Sequence, residues 1–482
     1  MSAVSLLTPI LNGGIQNVNF VNGRVLAAED MTSERAATLQ RQRLMGTCVG
    51  DGVACGFEVT LSASSVPYGQ QVVHITAGVA LNRSGDVLQL PSDTDVTLAA
   101  TLATANVNGL FAPCAPPQTQ LTNPGIYVLT VLPASGYQGQ APVTQLNSAG
   151  VATSCSSRYK TSGVQFRLAP LTLASTGTGL QPKLYALANQ IQTQLNTGVS
   201  AATLAPQLSL FQNGVAHACF GTDILSTYAA NPFAGLPGSP SFDTYGLIDA
   251  QRAAGLITDC EVPLALVYWT QQGIQFIDLW SVRREITPAA SGDLGGLPSQ
   301  SPDLTPRRYS EALAVYLQFE AQASNLVANL ATAALASATA GSYFFYLPPA
   351  GLVAQAGLGP SGVTASQFFS DRVARGPFFI EGARFESLLA DSLHYAPVDL
   401  SNDQQMIWLY MIRENLQAAS LGGANAPAPA LLFTSGHIPY QAEPHWNLSH
   451  WNFADFAIIP VSRPYRSNTK CPRYPATSIR AI

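Results

Sequence analysis

The sequence predicts an α+β multidomain fold, and three observations carry that prediction. After the turn signal Asn22-Gly23 the chain runs to Leu44 without Gly or Pro, which reads as a helix of about five turns. Between residues 53 and 98 the apolar period drops to two, as in Phe57-Glu58-Val59-Thr60-Leu61, the mark of half-buried antiparallel strands. Residues 308–340 again lack Gly and Pro, and Val315, Phe319, Leu326 and Leu330 recur on one helical face. The expected order is an N-terminal docking helix (1–50), a mainly antiparallel β domain (51–172), a middle region with a β-hairpin (173–287), a linker (288–306), a long helix with a mixed α/β C-terminal domain (307–460) and a basic tail (461–482).

Composition narrows the function classes. At 482 residues and 50.8 kDa the chain exceeds one ordinary core and implies two to four domains. It carries 23 Lys and Arg against 28 Asp and Glu, a net charge of −5, and only 11% charged residues, where roughly a quarter is usual. Hydrophobic residues still make up 47%, so neutral polar side chains fill the gap and the chain is not a disordered one. No basic run exists to neutralise phosphates, which excludes nucleic acid as a partner. The apolar stretch 4–11 lacks a basic leader and a small-residue cleavage site, so no export signal is expected. The Ala-rich stretch 326–340 is broken by Asn329, Thr332, Ser337 and Thr339, and no direct membrane insertion is expected. Seven scattered cysteines without CxxC spacing read as reduced, mostly buried thiols, with a Cys48–Cys55 disulfide as the alternative in an oxidising setting.

Each element has its own signal. In the first helix Glu29 and Asp30 lie in the opening turns and Arg41 and Arg43 near the end, the order the helix dipole favours. Its apolar stripe is thin (Leu26, Met31, Ala37 and Leu44), so burial against a large core cannot hold it and it needs a partner. Strands are expected at 57–61, 72–80 and 87–90, with Ser84-Gly85-Asp86 as a tight turn. Two more are expected at 126–132 and 164–168, parted by a long irregular loop whose first part, 133–142, is rich in Pro, Gly and Gln. A short helix covers 184–195, and 231–241 is a turn-rich connector. Runs 262–269 and 274–282 form a hairpin across Gln271-Gln272-Gly273. Pro348-Pro349 closes the long helical region; beyond it, short helices are expected at 366–373 and 403–417. The tail carries Arg463, Arg466, Lys470, Arg473 and Arg480, and no solenoid-type repeat is present.

Catalytic chemistry finds little support. His437, His445 and His450, with Glu443 and Asp455, could supply metal ligands if they converge. Histidines beside Trp446 and Trp451 in an Asn-rich stretch are more simply hydrogen-bonded packing residues, so no metal is expected. There is no GxSxG elbow, and Ser435-Gly436-His437 has no carboxylate at a telling position. Asp93-Thr94-Asp95 is the densest acidic pair outside the first helix, but Pro91-Ser92 before it marks a surface turn. Gly13-Gly14 and Gly422-Gly423 match no phosphate-cradling pattern. No catalytic residue and no cofactor are expected, and the chain reads as a non-enzyme.

One resemblance adds to this reading. The opening FVNGRVLAAEDM (20–31), the Arg- and Gln-rich helix and then GDGVACGFEV (50–59) resemble the start of phage-tail-like proteins. There the pattern is F-x-x-G-[RQ]-x-L-x-A-x-D-L, a helix, and G-x-G-V-x-x-G-L-x-V before a strand pair. Arg158-Tyr159, Phe166-Arg167-Leu168, the run from Asp278 to Arg284 and Leu347-Pro348-Pro349-Ala350-Gly351 are similar to the same group. The resemblance implies a structural component of a phage tail or contractile injection particle, a baseplate or fibre-type protein made in the bacterial cytoplasm. It implies self-association, expected as a homotrimer, and contact with other baseplate or tail proteins. The expected assembly interface is Phe20, Gly23, Leu26, Met31 and Leu44. The alternatives are a receptor- or glycan-binding fibre that stacks sugars on Trp446 and Trp451, and a tail-associated polysaccharide-degrading enzyme.

Overall fold

The computed structural model describes residues 14–23, 25–62, 72–98, 124–147, 150–222, 246–286, 306–354, 364–384, 388, 395–401, 406–414 and 430–435. The architecture is α+β with several antiparallel sheets and an N-terminal helix.

Helix α1 spans Ala28–Val49 and leads into β1 (Gly52–Cys55), β2 (Val59–Leu61), β3 (Val72–Ile75), β4 (Gly78–Leu81), β5 (Val87–Leu90) and β6 (Thr94–Thr97). These strands form two three-stranded sheets, ordered β1-β4-β5 and β2-β3-β6, where the sequence suggested one small sheet. Strands β7 (Gly125–Asn147) and β8 (Gly150–Leu171) pair antiparallel along their whole length, down to Asn147 opposite Gly150. The expected irregular loop is therefore a two-stranded ribbon. Its Gly, Gln and Pro residues sit in a ladder that is antiparallel throughout, and local propensity yields to pairing. Hairpin β9 (Val262–Thr270) and β10 (Gly273–Asp278) docks on β7, giving a sheet ordered β10-β9-β7-β8. The turn is the expected one, with Gly273 at φ 108°, a conformation that a side chain would strain. Strands from the 51–172 and 173–287 segments thus share one sheet.

That sheet is the middle of three layers. Alternation along β7 sends Ile126 and Val128 to one side and Tyr127, Leu129 and Val131 to the other. The first side packs on α2 (Leu180–Asn196), α3 (Ala205–Phe220) and α4 (Leu247–Ala253) through Leu184, Ile191, Phe211 and Val215. The second packs on Val53, Phe57, Val73, Ile75 and Leu88 of the small sheets. With both faces covered, β9 is buried almost continuously. Each fully buried aliphatic or aromatic side chain here contributes about 1.5–3 kcal/mol.

Helix α2 begins at Leu180, four residues before the expected start, because Pro182 falls in a first turn where its missing N–H costs nothing. Helix α3 is buried on most sides, so it carries no apolar stripe in the sequence to betray it. Gly214 lets α3 approach closely: a Cβ there would lie 2.3 Å from Leu184 Cδ2 and 2.9 Å from a Phe345 ring carbon.

The second body of the chain begins with α5 (Pro306–Asn329), α6 (Thr332–Ala336) and α7 (Ala340–Tyr343), followed by β11 (Tyr346–Leu347) and β12 (Ala350–Ala354). Val315 and Phe319 are buried on α5 as expected, but the helix ends at Asn329, and the rest of the expected span is two short helices. Bending the chain there places Leu335, Ala338, Ala340 and Phe344 in the core with Phe319, which a straight helix could not do. Helix α8 (Ala365–Phe368) precedes β13 (Val373–Ile380), β14 (Val398–Asp399), β15 (Met406–Ile412) and β16 (Ala430–Ser435). The sheet order is β12-β16-β15-β13, with β13 parallel to β15. Strand β15, MIWLYMI, lies inside the expected helix 403–417, which is corrected accordingly. A central strand covered on both faces is a continuous apolar run, and that run carries no period to tell it from a helix.

The cysteine reading is corrected too. Cys55 and Cys260 are each held in a disulfide, whereas Cys48 and Cys219 are free thiols. Scattered cysteines hide which thiols meet, because the contact is made by the tertiary fold. Of the expected linker 288–306 only Pro306, the first residue of α5, is described; 288–305, the connector 231–241 and the tail 461–482 lie outside the described residues.

Candidate assembly surface

The chain around Phe20 is extended, turns at Asn22-Gly23, and enters α1 at Ala28. Gly23 has φ +88°, and no atom lies within 4 Å of the place a Cβ would occupy. Space is therefore open there and only the backbone conformation demands glycine. Asp30 accepts the Ala27 N–H at 3.0 Å, and Glu34 accepts the Val18 N–H at 3.2 Å, folding the leading segment onto the helix.

The C-terminal end of the helix is pinned to the body through Arg43 and Gly46. Ala37 and Gly46 are its buried residues. Gly46 meets the β4–β5 turn so closely that a Cβ would lie 2.3 Å from the Gly85 carbonyl oxygen. Arg43 Nε donates to Asp86 Oδ1 at 2.6 Å. The turn is itself fixed from below: Asn82 is fully buried, accepts the Asp86 N–H at 2.8 Å and donates to the Cys260 carbonyl at 3.1 Å. This contact explains why α1 runs five residues past its expected end at Leu44, straight through a glycine. It also places Arg41 and Arg43 away from the last turn, so Arg43 serves an ion pair and not the helix dipole. Gly46→Ala is expected to prise this end of the helix off the turn. Limited proteolysis should then cut within 28–49 while the unfolding of the layered core stays in place.

Apart from Ala37, Arg43, Gly46 and the half-buried Asp30 and Glu34, the residues of α1 are exposed. Phe20, Leu26, Met31 and Leu44 are each about half exposed, Val25 is 89% exposed and Met45 is 70% exposed. The expected interface residues do not form one patch. Thirteen residues separate Met31 from Leu44, about 20 Å along the axis and about 140° around it. On the side of Met31 lie Thr38, Met45 and Val49, with Arg35 and Gln42 between them, all exposed. That seven-residue spacing from Met31 to Thr38 to Met45 extends past Leu44, the end of the helix that the sequence predicts.

Buried ionisable groups elsewhere serve structure. The run from Asp278 to Arg284 is a hub joining the layers to α5. Asp278 accepts from Gln212 at 2.8 Å, from Gln318 at 2.9 Å and from the Ser281 N–H at 3.0 Å. Arg283 donates to the Phe57 carbonyl at 2.9 Å, and burial lowers its pKa. Arg284 pairs with Glu311 at 2.5 Å and lies over the Phe220 ring. Burial pushes the Cys219 thiol far above its ordinary value, so it is an inert packing group. Asp93 and Asp95 flank Thr94 on an open surface, where Asp95 Oδ1 lies 2.8 Å from His74 Nδ1 and Asp93 accepts the Ala77 N–H at 2.8 Å. Among the described residues no group of three His, Cys, Asp or Glu could hold a metal. His437, His445, His450, Glu443, Asp455, Trp446 and Trp451 lie outside the described residues. No described helix is long and apolar enough to cross a membrane. In comparisons with known proteins, no family model and no curated protein matches the chain.

Proposed function

We propose that the chain is a structural component of a phage tail or contractile injection particle, of baseplate or fibre type, which docks to sister chains and neighbouring particle proteins through α1. The observation that carries this reading is a helix of 22 residues in which Ala37 and Gly46 are the buried ones, with apolar side chains exposed along its length. An exposed helix of this kind gains most of its stability from packing, and the Met31-Thr38-Met45 spacing suits a helix of a sister chain. A chain with only 11% charged residues has little long-range self-repulsion when many copies gather. The sequence resemblance of residues 20–59 supplies the particle class.

The test combines light scattering with a particle incorporation assay on Leu26→Asp/Met31→Asp and on Gly23→Val. Each variant should lose self-association and incorporation while its core unfolds as in the parent, because Leu26 and Met31 are exposed and belong to none of the buried clusters, and a Cβ at Gly23 meets nothing within 4 Å. Normal incorporation of both variants would remove the docking role. A trimer mass for the parent chain is the expected stoichiometry.

A further inference from the structure

The β7–β8 ribbon leaves the body. Strand β9 covers β7 only from Gly125 to Val131, while the pairing of β7 with β8 continues to Asn147. Residues 134–147 and 150–163 therefore form a two-stranded arm, about 46 Å long at the usual rise per residue. Its described outer residues 137–140 and 157–162 are exposed, with Tyr137 at 64% and Tyr159 at 55%. A lone two-stranded ribbon is marginal in water, so an arm of this length gains from lying against something.

The arm's chemistry says what that is. Residues 134–163 contain Arg158 and Lys160 and no carboxylate, which leaves 21 basic against 28 acidic residues in the rest of the chain. A cationic arm thus extends from a net anionic body, whose exposed carboxylates include Glu58 and Asp93. Strand alternation puts Arg158 and Lys160 on one side with Tyr137, which is opposite Lys160. The Arg158 guanidinium lies 5.1 Å from the centre of the Tyr159 ring. Tyrosine and arginine are the residues enriched at the cores of protein interfaces, and two cations are too few to hold a phosphate backbone. We propose that this arm lies across the body of a neighbouring copy of the same chain, an arm exchange that acts beside the α1 contact and does not depend on the type of particle. Charge complementarity steers the encounter, and the tyrosines supply the apolar anchors.

The experiment uses the full chain carrying Arg158→Glu/Lys160→Glu, followed by sedimentation at low salt and at about 0.5 M salt. The variant should associate about tenfold more weakly at low salt, and the gap should narrow at high salt. In parallel, a photo-crosslinking residue at position 159 is placed in a mixture of isotopically light and heavy chains. Crosslinks should join light to heavy chains, from the arm to body peptides. An unchanged association constant in the charge-reversed chain overturns the proposal, as do crosslinks confined to single chains or attached only to a different protein. The Leu26→Asp/Met31→Asp chain separates the two contacts. If it alone loses association, the arm exchange fails and helix docking stands; if the arm variant alone does, helix docking fails and the arm stands.

Discussion

Glu261→Ala is expected to destabilise the layered core by about 3–5 kcal/mol, the cost of stranding a buried charge. Glu261 is fully buried and gathers four donors: Arg167 Nη1 at 2.7 Å, Thr130 Oγ1 at 2.9 Å, and the Thr258 N–H and Oγ1 at 2.7 and 3.1 Å. Arg167 is itself only 8% exposed, and its other terminal nitrogen donates to the Leu256 carbonyl at 2.7 Å. The carboxylate therefore ties β7, β8 and the segment before β9 together, and its loss leaves a guanidinium with neither counter-charge nor water. The pair itself need not be stabilising, since two ions lose hydration to form it. Arg167→Met/Glu261→Leu should accordingly recover most of what Glu261→Ala loses. Denaturant unfolding followed by the fluorescence of Trp269 and Trp280 measures both. A single variant within 1 kcal/mol of the parent would contradict the argument, about a third of the smallest loss expected.

The second large effect is a loss of stability in mild acid, centred on His217. Burial lowers its pKa to about 3, from an ordinary value near 6.5. The ring stacks on Tyr346 at 4.8 Å, meets Phe220 edge-on, and its Nδ1 lies 2.7 Å from Thr222 Oγ1. Above pH 6.5 neither the folded nor the unfolded chain protonates this ring, and His217 adds no pH dependence. Below that pH the unfolded chain takes a proton that the folded chain refuses, so stability falls by about 1.4 kcal/mol per pH unit until the folded pKa is reached. Between pH 6.5 and 5, before most carboxylates titrate, the loss is about 2 kcal/mol. His217→Gln keeps a polar group near Thr222 and should flatten that slope. Equal slopes for the two chains would show that the ring is not held neutral.

Some of this fold is legible residue by residue, and the failures share one cause. The β9–β10 hairpin reads correctly because both its runs and its Gln271-Gln272-Gly273 turn are local signals. The turn at Asn22-Gly23 and the helix after it are local signals too, although α1 begins only at Ala28 and leaves Leu26 outside it. Its end does not, since Gly46 is a helix breaker in isolation and a packing requirement only when Gly85 lies against it. The arm was hidden because Gly, Gln and Pro speak for a loop, while pairing between residues as far apart in the chain as Ala134 and Gly163 decides otherwise. Of the expected interface, Phe20, Leu26, Met31 and Leu44 are exposed, but Phe20 and Leu26 precede the helix and Met31 and Leu44 face different ways around it. Met45 and Val49 complete the stripe only once the helix is known to continue.

The sequence by itself determined the α+β class, the order of the N-terminal helix and the strands that follow, the sparse charge and the cationic character of residues 134–163. These follow from composition and from periods read over a few turns. The tertiary structure alone decided that β7, β8, β9 and β10 make one sheet between two layers, that 406–412 is a strand, and which cysteines are bonded. It also decided that α1 continues to Val49 and meets the β4–β5 turn through Gly46. The physical reason is the same in each case: a residue buried on all sides, or paired across a long loop, answers to neighbours that local pattern cannot name.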